Sequence, residues 1–187
     1  MNKRFVPILA AILILFIMTF PAQAGQFTLL VEGMFPDGRM TDAHVFDGFG
    51  CTGGNVSPAL SWSGVPEGTS SFGLTLFDLD APTGSGWWHW LVFNLPAGSA
   101  GLPENAGAGD GSHLPANVVQ SMTDFGKPGY GGPCPPKGDK PHHYVFTLYA
   151  LKIDRLQLDP GSAPALVSDT LKANALAETK IIATYGR

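Results

Sequence analysis

Two apolar runs, Phe72 to Phe77 and Trp87 to Leu95, lie on either side of an acidic pair, Asp78 and Asp80, and a turn-forming stretch, Ala81-Pro82-Thr83-Gly84-Ser85-Gly86. Runs of β-branched and aromatic residues bounded by Pro, Gly and Ser read as strand, loop and strand. That reading brings the two carboxylates and His89 together at one end of a sheet. A plainer reading uses the same residues: aspartates as turn caps, and Trp87, Trp88 and Trp90 as core around a hydrogen-bonded histidine.

Further strands are expected at Gln26 to Val31, Ala59 to Trp62, Phe72 to Leu79, His143 to Leu151 and Thr179 to Thr184. Alternation along Tyr144-Val145-Phe146-Thr147-Leu148-Tyr149 is loose, so some strands should be covered on both faces. One helix fits, from about Ala163 to Asn174, with Ser162 as cap and Pro164 in the first turn, where its missing N–H is harmless. Leu166, Val167, Thr170 and Leu171 would form its inner stripe. The spacing favours a mainly β sandwich over a βαβ repeat, in one domain over residues 25–187. The stretch from Gly98 to Gly138 is too long for an ordinary connection, and such loops are functional or stapled.

Residues 1–24 read as a secretory signal: Lys3 and Arg4, an uncharged run from Phe5 to Phe20, then Pro21-Ala22-Gln23-Ala24 with cleavage after Ala24. The run is short for a membrane span, so the expected product is periplasmic or secreted, without stable membrane insertion. Losing two basic residues moves the formal charge from −4 to −6, which disfavours nucleic acid as a partner. Only two cysteines occur, Cys51 and Cys134, and in an exported chain they are expected to form a disulfide. They lack the paired spacing of a zinc site.

Three more clusters carry chemistry: Cys51 to Pro58, Tyr130-Gly131-Gly132-Pro133-Cys134-Pro135-Pro136, and His142-His143-Tyr144. Successive strand residues face opposite ways, so at most one of His142 and His143 should enter a given pocket. By the same rule Trp88 and Trp90 lie on the face opposite His89 if their strand is regular.

Together these segments resemble the phosphatidylethanolamine-binding protein family, also called Raf-kinase-inhibitor-like, and its exported bacterial branch in particular. The resemblance rests on Asn55-Val56-Ser57-Pro58-Ala59-Leu60-Ser61-Trp62, on Asp78-Leu79-Asp80-Ala81-Pro82 followed by Trp88-His89-Trp90, on Tyr130-Gly131-Gly132 with Pro135-Pro136, and on His142-His143-Tyr144. It implies an antiparallel, Greek-key type β-sandwich with few short helices. It also implies a small, partly apolar pocket for phosphate, acetate or a phosphoethanolamine-like headgroup, formed by Asp78, Asp80, Pro82, His89, Tyr130, Gly132, Pro135, Pro136, His142 and Tyr144. Asp78 would orient a histidine, and His89 or His142 would donate to the anion. If binding uses a protonated histidine, affinity should fall as pH rises through about 6 to 7.

Leu79 stands where the family commonly has proline, and His143 where it often has arginine. These departures put ligand identity in question more than the fold. The leading functional reading is a non-catalytic binding or inhibitory module, with no cofactor, metal or catalytic residue. A phosphoester hydrolase using His89, His142, Asp78 and Asp80 is the alternative. A protease or kinase target is a further class of partner, and the bacterial branch makes a homodimer reasonable.

Overall fold

The computed structural model describes residues 25–187; the expected signal segment lies outside them. The strands are β1 (Thr28–Val31), β2 (Asp47–Gly48), β3 (Cys51–Thr52), β4 (Leu60–Ser63), β5 (Ser71–Asp78), β6 (Trp87–Pro96), β7 (Gly101–Leu102), β8 (Val119–Gln120), β9 (His142–Leu151) and β10 (Ala175–Tyr185). Among the described residues there is one α-helix, α1 (Pro164–Asn174), which runs directly into β10, and one short 3-10 turn at Asp42–His44. A five-stranded sheet has the order β10-β9-β5-β6-β8, a three-stranded sheet the order β1-β4-β7, and β2 pairs with β3. Every pairing between strands is antiparallel. The protein is therefore mainly β with one helix, as its sequence pattern requires.

The two larger sheets enclose one apolar core. Leu29, Val31, Leu60, Trp62 and Leu102 of the small sheet meet Phe72, Leu74, Leu76, Trp90, Tyr144, Phe146 and Leu148 of the large one. On the far face of the large sheet, Leu91, Phe93, Tyr149 and Leu151 pack against Val167 and Leu171 of α1. Before Asp78, β5 carries only the small polar side chains of Ser71 and Thr75 and is buried along almost its whole length. The loosely alternating β9 is likewise buried from Phe146 to Leu151, covered on both faces.

The helix stripe is narrower than its sequence implies: Val167 and Leu171 are buried, whereas Leu166 is half exposed and Thr170 donates its hydroxyl to the Leu166 carbonyl. Its cap position is Ala163, not Ser162. The Ser162 hydroxyl is instead engaged with Asp159, accepting that residue's N–H and lying 3.2 Å from its carboxylate. β10 is longer than the propensity of Thr179 to Thr184 alone indicates, because β9 offers it a pairing partner along its whole length.

Candidate ligand pocket

Three adjacent strands build the floor of the pocket. Asp78 ends β5, His142 begins β9 beside it, and His89 lies near the start of β6. The β5–β6 ladder pairs Leu76 with Trp90 and Phe77 with Trp88, leaving His89 as an extra residue on β6. This bulge breaks alternation. Trp90 therefore enters the central core and gives its indole N–H to Gln120, while Trp88 packs against Phe77 on the far side, ring centroids 4.3 Å apart. The two tryptophans occupy opposite faces, contrary to the regular-strand expectation.

Hydrogen bonds fix both floor imidazoles. His89 Nδ1 lies 2.6 Å from the Gly131 carbonyl, and His142 Nδ1 lies 2.8 Å from Asp78 Oδ2. A carbonyl and a carboxylate accept, so both Nδ1 atoms carry a proton, and in His89, whose ring burial keeps neutral, Nε2 is left with a lone pair. His89 Nε2 is 4.0 Å from the same Asp78 oxygen, beyond a direct hydrogen bond. The other Asp78 oxygen accepts the Asp80 N–H at 2.9 Å. Burial pushes His89 down to about 4, against the opposing pull of the Gly131 carbonyl and the charges of Asp78 and Asp124. Beneath the floor, the Tyr144 hydroxyl is buried without a hydrogen-bond partner, and its ring meets His89 edge-on at 5.2 Å.

Loops supply the walls. Phe49, Trp87 and Phe125 are aromatic, and Ala81, Pro82, Thr83, Cys134, Pro135 and Pro136 complete a cavity of about 180 Å³ around Asp78, His89 and His142. Phe49 holds a left-handed backbone with φ of 51° between Gly48 and Gly50, and is 71% exposed. Cys51 and Cys134 are joined, their Cα atoms 6.0 Å apart, so the Phe49 turn is tied to the Pro135-Pro136 wall. Arg187 adds a second tie: Nε donates to the Pro135 carbonyl at 2.7 Å and Nη1 to that of Gly50 at 2.6 Å.

Of the ten residues expected at the pocket, Asp78, Pro82, His89, Pro135, Pro136 and His142 line the cavity. Asp80 turns away, accepting the His143 N–H and Nδ1–H at 2.7 and 2.8 Å, which holds its carboxyl below the usual range. It lines a neighbouring depression with Asp139, Lys140, Pro141 and the other side of His142. Tyr130 lies behind the wall, its hydroxyl donating to the His44 carbonyl at 2.8 Å. Gly132 donates to the Asn55 side chain, and a Cβ there would sit 2.0 Å from the His44 carbonyl, so only glycine fits. Tyr144 is beneath the floor. His142 and His143 diverge, the first buried in the pocket and the second exposed.

Sequence reasoning passed over Phe49, Phe125 and Trp87 as walls. Phe49 had a signal: an aromatic between two glycines and next to a cysteine whose partner adjoins Pro135.

A small antiparallel sandwich with a histidine–carboxylate floor and an aromatic, proline-rich mouth defines a compact ligand-binding module. The chain belongs to the phosphatidylethanolamine-binding protein family, whose model matches residues 35–186. UPF0098 protein YbcL of Escherichia coli K12 is 52% identical over 172 residues, 92% of this chain and 94% of that protein. The crystal structure of E. coli YbcL, described as a new member of the mammalian PEBP family, superposes with a TM-score of 0.84 over 87% of this chain and 99% of its own. UPF0098 protein YbhB of E. coli K12 is 46% identical over 83% of this chain and 98% of that protein. Putative lipoprotein LppC of Mycobacterium tuberculosis H37Rv is 34% identical over 89% and 76%.

Proposed function

We propose that this protein is an exported, non-catalytic binder of small oxyanions, phosphate or a phosphorylated headgroup, in the pocket floored by Asp78, His89 and His142. The observation that carries this reading is the convergence of those three groups at the base of one narrow cavity. A cavity of this size suits a headgroup, not a drug-sized ligand. Export is favoured by the Cys51–Cys134 disulfide, which persists in oxidising compartments, and by a mycobacterial relative named as a putative lipoprotein. No helix among the described residues is long and apolar enough to cross a membrane.

The hydrolase reading places Asp80 in the same reaction centre as Asp78. What weighs against it is that Asp80 is absent from the lining of the main cavity and is engaged by His143, in a neighbouring depression that shares only His142 with it. The test is a thermal-shift titration of oxidised protein at pH 6 with inorganic phosphate and phosphoethanolamine. A saturating ligand at one hundred times its Kd should add about 2.7 kcal/mol, and the gain should vanish in folded His142→Ala. No shift with either compound at millimolar concentration overturns the reading.

A further inference from the structure

The pocket's inventory of donors and acceptors is unusual for an anion site, and the inference drawn from it rests on the oxyanion reading above. No lysine or arginine lines the cavity. The Nδ1–H groups of His89 and His142 are already given to Gly131 and Asp78, and the Thr83 hydroxyl is given to the Gly86 carbonyl at 2.6 Å. Proline contributes no N–H. Among the described lining side chains, only the Trp87 indole N–H remains uncommitted. What faces the ligand from the floor is the Asp78 carboxylate, the Nε2 lone pair of a His89 ring that burial keeps neutral, and a His142 ring whose Nδ1–H is already given to Asp78. An anion arriving there without a proton would meet acceptors and a like charge.

We propose that the pocket takes its ligand as a weak acid: each bound oxyanion brings one proton into the Asp78–His89–His142 unit, so phosphate monoesters and carboxylic acids are selected over phosphodiesters. The incoming proton lies between a ligand oxygen and His89 Nε2, which is 4.0 Å from Asp78 Oδ2 and makes no direct hydrogen bond to it. There it turns two facing acceptors into a donor and an acceptor. A diester's one ionisable oxygen is too acidic to carry that proton at the pH values where a monoester or carboxylic acid can.

The groups that set this proton's energy surround His89 on every side. Asp78 faces it from β5, His142 and Tyr144 from β9, and Asp124 from the loop that also gives Phe125. Asp124 is itself held by the Trp88 N–H at 2.7 Å, and Asp139 approaches His142 Nε2 at 3.7 Å. The Asp80–His143 pair and the Tyr130 hydroxyl lie farther out, each already paired. All the fixed charges near the floor are negative, which favours the added proton once an anion shares the space. The unliganded ring, by contrast, is kept neutral by burial.

Isothermal titration of the oxidised full chain with inorganic phosphate, at about pH 5.5, 7 and 8.5 in two buffers of different ionisation heat, tests this. Phosphate affinity should hold while the free ligand already carries the proton, up to about pH 6 to 7, and then fall towards about tenfold per pH unit, with proton uptake per ligand rising towards one at the upper end. Dimethyl phosphate should bind at least tenfold more weakly than phosphate at pH 5.5. In His89→Asn, whose amide can replace the Nδ1–H to Gly131 but offers no titrating nitrogen, the proton uptake should disappear while the protein stays folded. Flat affinity without buffer-dependent heat, or dimethyl phosphate binding equal to phosphate, overturns the proton-linked mechanism and leaves the oxyanion reading standing. Choline binding with no phosphate binding at any pH overturns both.

Discussion

The floor and the mouth of the pocket are built by different means. The floor consists of side chains on β5, β6 and β9, each buried; Asp78 and His142 bond to each other across neighbouring strands, and His89 bonds to the Gly131 carbonyl of the adjoining loop. The mouth consists mostly of loops that pair with little regular structure and are held from outside by one disulfide and one arginine. Strands fix the floor because sheet register leaves side chains no freedom to drift. Loops can form a wall only if distant covalent or hydrogen-bonded ties restrain them. The contrast separates two roles: the floor sets the chemistry of the ligand, and the mouth sets which ligand shapes reach it.

The strongest way to break the comparison is to release the mouth. Cys51→Ala with Cys134→Ala opens an 83-residue separation and should cost up to about 4 kcal/mol in the chain-entropy model, read as a lower denaturation midpoint. If the floor is independent, phosphate still binds to the folded fraction and retains its pH dependence.

Cutting the floor comes next. Asp78→Ala leaves the His142 Nδ1–H and the Asp80 N–H without their acceptor, and should cost about 3 kcal/mol while abolishing anion binding. A variant with unchanged stability in denaturant melts would show that the floor is not held as described.

Acid should act on the floor first, at a higher pH than on the carboxylates. The unfolded chain takes up a proton at His89 near pH 6.5, whereas the folded chain resists until about 4. Stability of the free protein should therefore be full above about pH 6.5 and decline as pH falls towards 4, by about 3 kcal/mol at most. Bound phosphate should reverse the trend by raising the proton affinity of that ring. His89→Asn should flatten the curve of the free protein over the same window.

Smaller effects belong to the outer ties. Arg187→Ala frees the carbonyls of Pro135 and Gly50 and should cost about 1–2 kcal/mol, with phosphate affinity shifted less than fivefold. His143→Ala breaks an exposed pair with Asp80 and should change stability by less than about 1 kcal/mol. A large effect there would move Asp80 from the periphery into the pocket's energetics.

Much of the floor was legible from residue order. The run Phe72 to Phe77 followed by Asp78, and the rule that His142 and His143 must diverge, both follow from strand periodicity, a local property. The fate of Trp88 and Trp90 was not legible, because the bulge at His89 is set by pairing with Leu76 and Phe77 across the ladder, not by anything within β6. The same reason hid Phe49 and Phe125. They reach the cavity only because loops far apart in sequence are brought together by the Cys51–Cys134 bond and by contacts among Phe46, Phe49 and Phe125.

By itself, then, the sequence determined the strand-rich architecture, the single helix, the cysteine pair and the place where the acidic turn meets a histidine. These depend on patterns that act within a few residues of one another. Tertiary structure alone decided that Asp80 turns outwards to His143, that Tyr130 supports the wall from behind, and that both floor imidazoles commit their Nδ1–H groups to buried acceptors. Those outcomes depend on which partner each polar group meets when burial removes water, and the partners lie 42 to 86 residues away in the chain.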